Sequence, residues 1–186
     1  MKRRLPVAPF VALAVALVVG ALVVVFARSD SAADREARSR LVGQPAPVLA
    51  GETIDGGTFD LAARRGRWVV VNFMASWCTP CRQEQPELVA FSNRHAPAAD
   101  AEVVAVLVND TPDAVTAFFD QYGQAGPAVL DPDGSAYVAF GIVKVPETYL
   151  VDPDGIVVGK VNGGVSADGL DGALAALAQA RAGGGG

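Results

Sequence analysis

Hydrophobic and polar positions divide the chain into two unlike parts. Leu5 to Ala27 is an uncharged run dominated by Val, Ala and Leu, preceded by Lys2, Arg3 and Arg4. A helix over Val7–Ala27 would be roughly 31 Å long at about 1.5 Å per residue, the thickness of a bilayer's hydrocarbon core. Pro6 and Pro9 fall in or just before its first turn, where a missing N–H costs little. A cleaved signal peptide is the rival reading, but its apolar region is shorter, roughly 7–15 residues, and ends in small residues. Here the run is longer, Ala27-Arg28-Ser29-Asp30-Ser31-Ala32 makes a poor cut site, and no Cys follows to carry a lipid. The pattern predicts an uncleaved transmembrane signal-anchor over residues 1–27 with its basic tip in the cytoplasm. Arg28, Arg35, Arg38 and Arg40 beyond the run are partly offset by Asp30, Asp34 and Glu36. A polar tether (28–42), a folded domain (43–182) outside the cytoplasm and a disordered glycine tail (183–186) complete the expected organisation.

From Leu41 onward the period changes repeatedly. Val48–Ile54 has strand character, Asp55-Gly56-Gly57-Thr58 is a hairpin turn signal, and Phe59–Arg65 is expected to form a short helical turn. Trp68–Met74 (WVVVNFM) is a near-continuous apolar run of strand length, as for a strand buried on both faces. A helix is predicted from Thr79 to His95, carrying Leu88, Val89 and Phe91 inward, with a kink at Pro86. His95 would cap the end of that helix. Ala101–Val108 is a second buried strand. Thr111-Pro112-Asp113 starts a helix leading into Ala114–Tyr122. Gly126-Pro127 breaks it before a short strand at Ala128–Leu130 and a short helix at Ser135–Phe140. Thr148–Val151 and Ile156–Val161 flank the turn Asp152-Pro153-Asp154-Gly155 as a hairpin. A last helix covers Ala167–Arg181. This order predicts an α/β fold: a central mixed sheet with helices on both faces.

Charge narrows the functional classes. The net charge of −5 argues against nucleic-acid binding. It is also uneven, +4 over residues 1–40 (7 basic, 3 acidic) and −9 over the rest (8 basic, 17 acidic). Two cysteines and one histidine in 186 residues exclude a disulfide-dense mini-scaffold, a Cys-rich zinc site and any histidine cluster.

The candidate chemistry is Cys78-Thr79-Pro80-Cys81, set where a buried strand gives way to a helix. A sulfur there meets unpaired N–H groups and the positive end of the helix dipole, both of which favour thiolate. Thiols in such motifs titrate at roughly 3.5–7.5 rather than about 8.5. Cys78, expected to be the more exposed, is the candidate nucleophile, and Cys81, one turn in, the resolving thiol. Thr79 carries no charge to assist. Trp77 offers a flat apolar surface to an incoming peptide. Three duller readings compete: a structural disulfide, a metal pair and two unpaired buried thiols. So short a loop stabilises little, a metal pair lacks ligands, and free thiols suit an oxidising compartment badly. Redox chemistry is favoured.

The block Val71–Cys81 (VNFMASWCTPC), followed by Glu84 and Pro86, resembles the active-site block of membrane-anchored thioredoxin-like thiol-disulfide oxidoreductases of the TlpA, ResA and CcmG/DsbE type. Gly141–Asp152 (GIVKVPETYLVD) resembles a second block of the same group, and the likeness runs from about Leu41 to Leu177. The resemblance implies a thioredoxin-like fold with an added N-terminal hairpin and an insertion over Asp110–Ile142. It implies a cis Pro146 packed against the cysteines, leaving the Val145 backbone to pair with a substrate strand. Glu84 matches the group's acidic residue near the resolving cysteine, where it would manage the proton of Cys81; a solvated helix face is the alternative. Glu147 matches an acidic position expected to tune the thiols, with a plain strand-end charge as its alternative. Asn72 stands where ordinary thioredoxin has a buried Asp, and Met74 replaces a frequent Trp.

The resemblance implies an extracytoplasmic enzyme that reduces disulfides in apocytochrome c during cytochrome c maturation, with no organic cofactor or metal. Its electrons would come from a transmembrane carrier of the CcdA/DsbD type. Two alternatives remain open: an oxidase donating its disulfide to folding proteins, and a tethered binding module with an inert disulfide.

Overall fold

The computed structural model describes residues 39–183. The expected signal-anchor, residues 28–38 of the tether and residues 184–186 lie outside the described residues. Among the described residues no helix is long and apolar enough to cross a membrane.

The most apolar run supplies the central strand. β3 (Trp68–Met74) is buried from Val69 onward and lies between β4 (Ala101–Leu107), parallel to it, and β6 (Glu147–Val151), antiparallel. β5 (Ala128–Leu130) continues the parallel side and β7 (Val157–Asn162) the antiparallel side, in the order β5-β4-β3-β6-β7. A parallel neighbour needs a crossover, and α1 (Thr79–His95) and α2 (Pro112–Tyr122) provide the two crossovers. α3 (Ser135–Phe140) leads to β6, and α4 (Ala167–Gly183) closes the domain; Gly183, the first residue of the expected tail, is its last residue.

Alternation along the strands gives the sheet two buried faces. One face buries Val70, Val103 and Leu150 against Leu88 and Phe91 of α1 and Leu170 and Leu174 of α4. The other buries Val69, Val71, Phe73, Val104, Val106 and Tyr149 beneath Leu49, Phe59, Leu61 and Phe140. The cover on that side is a small hairpin, β1 (Ala50–Glu52) with β2 (Thr58–Asp60), joined to the sheet by the Thr53–Val129 bridge. Two expectations need correction here. The strand expected over Val48–Ile54 pairs for only three residues, leaving Val48 exposed. The helical turn expected over Phe59–Arg65 shrinks to a 3-10 turn, Leu61–Arg64, capped by the Asp60 side chain. Phe59 is strand because pairing with Gly51 aims its ring into the core.

The segment Asp110–Ile142 contains α2, β5 and α3, so it extends the sheet by a strand. Gly126 makes the approach possible: a Cβ there would lie 2.0 Å from the Val103 carbonyl oxygen of β4. His95, expected to cap α1, instead places Nδ1 2.8 Å from Asp100 and Nε2 3.0 Å from Asp171. Arg94 beside it bonds Asp168 and Asp171, so the end of α1 is tied to the start of α4.

Candidate active site

β3 ends at Met74, and Ala75-Ser76-Trp77 turns the chain into α1. The turn is clamped to the carboxyl end of β4. Asp110 accepts hydrogen bonds from the Ser76 N–H and hydroxyl, Trp77 Nε1–H donates to the Asn109 carbonyl at 3.2 Å, and Arg82 Nε–H donates to the Ser76 carbonyl at 3.1 Å. Cys78 is therefore seated as the N-cap of α1, with extended backbone and its Sγ accepting the Cys81 N–H at 3.3 Å. Pro80, in the first turn, has no N–H to leave unpaired. Cys78 and Cys81 are joined as a disulfide, with Cα atoms 5.3 Å apart.

Cys78 is 4% exposed and Cys81 1%, so the ranking is as expected but neither sulfur stands in open solvent. The exposed surface belongs to Trp77, at 56%. Beneath the disulfide, Met74, Ala75, Leu107, Val115 and Phe118 form an apolar floor, with Val145 against it. Met74 fills the position of the larger Trp as part of that floor.

Glu84 lies one helical turn beyond Cys81, on the same side of α1. It is no solvated helix-face residue: it is buried, with Oε1 accepting from Asn72 Nδ2 at 3.0 Å and Oε2 from the Val165 N–H at 3.0 Å. Asn72 Nδ2 also reaches Thr148 Oγ1 at 3.0 Å, linking β3, β6, α1 and the start of α4. Burial pushes the carboxyl up to about 7, against the opposing pull of the Asn72 and Val165 hydrogen bonds. Burial outweighs both bonds, and Asn72, a neutral amide, is the side chain that holds the carboxyl in place.

Val145–Pro146 is a cis peptide bond, Pro146 is buried, and Val145 is half-buried. Glu147 opens β6 opposite Phe73 and is 2% exposed. Its Oε2 lies 2.8 Å from Lys160 Nζ on β7, and that amine is 5.3 Å from the centre of the Tyr149 ring. Burial lowers the Lys160 amine's pKa, but the Glu147 carboxylate and Tyr149 outweigh it and raise it. Successive residues of a strand point to opposite faces, so Glu147 and Tyr149 lie across the sheet from Thr148 and Glu84. The two acids are not brought together. Lys160, Thr148 and Val165 had no mark in the sequence, since their roles come from strand register and loop placement. Among the described residues no group of His, Cys, Asp and Glu is placed to hold a metal ion.

Residues 42–160 match the AhpC/TSA family, and the chain belongs to it. Similarity to curated proteins narrows the class. The chain is 36% identical over 121 residues to the thiol-disulfide oxidoreductase ResA of Bacillus subtilis, covering 65% of this chain and 67% of that one. It is 31% identical over 131 residues to the thiol:disulfide interchange protein HelX of Rhodobacter capsulatus, covering 69% and 72%. Among solved structures, a thiol:disulfide interchange protein DsbE from Chlorobium tepidum superposes with a TM-score of 0.64 at 28% identity, over 72% of this chain and 94% of that one. MTB DsbF gives 0.63 at 30% identity, over 69% and 94%. The fold is thioredoxin-like, and the protein is a thiol-disulfide oxidoreductase of the TlpA/ResA/CcmG type.

Proposed function

We propose that the protein reduces the cysteine pair of apocytochrome c on the outer side of the membrane, before haem attachment. The observation that carries the reading is the seat of Cys78, an N-cap sulfur accepting the Cys81 N–H. In the reduced enzyme, the Cys78 thiolate attacks one sulfur of the client disulfide and the other client sulfur leaves as thiolate. The Cys81 thiolate then attacks Cys78 Sγ and expels the second client thiolate. Two electrons pass to the client, and the Cys78–Cys81 disulfide remains. Glu84, one turn from Cys81, takes the proton that Cys81 must lose. Val145 and Pro146 line the approach, with Trp77 as the exposed apolar contact. Glu147 acts from the opposite face as a strand-end charge paired with Lys160, shaping the loop rather than touching the sulfurs.

The balance of forces supports a reductant over an oxidant. A thiolate that is strongly stabilised makes the dithiol form stable and the disulfide oxidising. Here the helix N-terminus favours thiolate, while burial of both sulfurs and of an acid one turn away oppose it. Regeneration would draw on a CcdA/DsbD-type carrier, and the anchor over residues 1–27 would hold the domain at the membrane beside it.

The test is covalent trapping. Reduced Cys81→Ala protein, mixed with oxidised apocytochrome c, is expected to accumulate a mixed disulfide that dithiothreitol reverses. No adduct would overturn the reading and leave a module with an inert disulfide.

A further inference from the structure

A groove opens beside the active site at Trp77. Trp77, Val108, Asn109, Pro132, Asp133 and Tyr137 line it, on the loops that follow β3, β4 and β5 and on α3. These are the carboxyl ends of the three parallel strands, where crevices of α/β sheets collect. We propose that this groove binds a lysine or arginine side chain of the client, lying within three residues of the cysteine that Cys78 attacks. The inference rests on the exchange chemistry of Cys78 and adds a preference to it.

Three observations fit a basic side chain. The indole of Trp77 is more than half exposed yet anchored through Nε1 to the Asn109 carbonyl, so an apolar ring face is held out to solvent. Tyr137 supplies a second aromatic wall, and Val108 and Pro132 supply apolar surface for a methylene stem. The charge comes from Asp133. Asp131 is consumed within the fold, accepting from the Ala136 and Tyr137 N–H groups at 3.0 and 2.9 Å and from the Ser135 hydroxyl at 3.3 Å. Asp133 sits exposed at the rim, and the Ser135 N–H and hydroxyl hold its carboxyl below the usual range. Among the described residues, none lining the groove is basic.

Long cationic side chains lay their stems on apolar surface and set their charge over aromatic faces, Trp best of all. A carboxylate at the rim selects for that charge and speeds encounter. An acidic client residue would instead face Asp131 and Asp133.

The test uses short peptides with one cysteine in a mixed disulfide with thionitrobenzoate. Attack by reduced Cys78 on the peptide sulfur releases coloured thionitrobenzoate, and Cys81 then attacks Cys78 Sγ and expels the peptide thiolate. Three peptides differ only two residues from the cysteine: arginine, its uncharged isostere citrulline, or glutamate. Wild-type protein at low salt is expected to react about tenfold faster with the arginine peptide than with the citrulline one, and slowest with glutamate. Asp133→Asn should collapse the ratio of the arginine rate to the citrulline rate. Equal rates with arginine and citrulline in the wild type overturn the groove, as does an advantage that survives Asp133→Asn. Release from none of the peptides overturns the exchange chemistry itself, which separates that failure from failure of the groove.

Discussion

Glu84 shows what a single position gains from its surroundings. In an unfolded chain its carboxyl has an ordinary pKa near 4.5; in the fold, burial raises it to about 7. The folded state therefore holds more protons than the unfolded one between those values, and stability falls as pH rises through that window. The penalty is complete above pH 7 and absent below 4.5. Replacing Glu84 by Gln removes it. Urea unfolding of the disulfide form should show Glu84→Gln gaining on the wild type by roughly 3 kcal/mol between pH 4.5 and 8.5. In exchange assays the same variant should slow the resolving step and lose an inflection near pH 7. An unchanged pH profile would remove Glu84 from the proton path. The sequence placed an acid three residues past Cys81 but left a solvated helix face open. Choosing between them required knowing that Asn72 and the Val165 N–H close over it, and those contacts join residues 12 and 81 positions away from Glu84.

At the scale of elements, long runs with strong periodicity were legible and short pieces were less so. Trp68–Met74 and Thr79–His95 were readable to the residue, because a buried strand and a capped helix each write their pattern locally. The β1–β2 hairpin was blurred, since three paired residues contain too little alternation, and only contact with the sheet decides that Phe59 is strand. Cross-strand pairs were invisible for the same reason. Lys160 stands opposite Tyr149 and reaches Glu147 diagonally only because β6 and β7 meet in this register. That buried pair gives a clear expectation. Lys160→Met leaves a carboxylate without its cation and should cost about 3 kcal/mol, whereas Lys160→Met with Glu147→Gln should recover most of the loss. Thermal or urea unfolding of the three proteins decides it. Equal stability of Lys160→Met and wild type would mean that the pair contributes nothing to the β6–β7 hairpin.

Across the whole molecule, the division of labour follows the sheet. Its parallel half ends in the loops that hold Trp77, the cysteines and the groove at Asp133. Its antiparallel half is preceded by Val145, which packs against the apolar cluster that holds the same disulfide. The sequence carried the two motif blocks, and their resemblance to a known group implied that they meet, but nothing in it gave the depth at which both sulfurs lie. That depth bears on function, because burial, a neighbouring acid and a single helix N-terminus together predict a thiolate stabilised only modestly. The most direct measurement is the reduction potential of the Cys78–Cys81 couple, equilibrated against glutathione or dithiothreitol buffers at pH 7. A value near the reductant end, about −270 mV, is predicted; a value near −120 mV would contradict the reductase account and make the protein a disulfide donor.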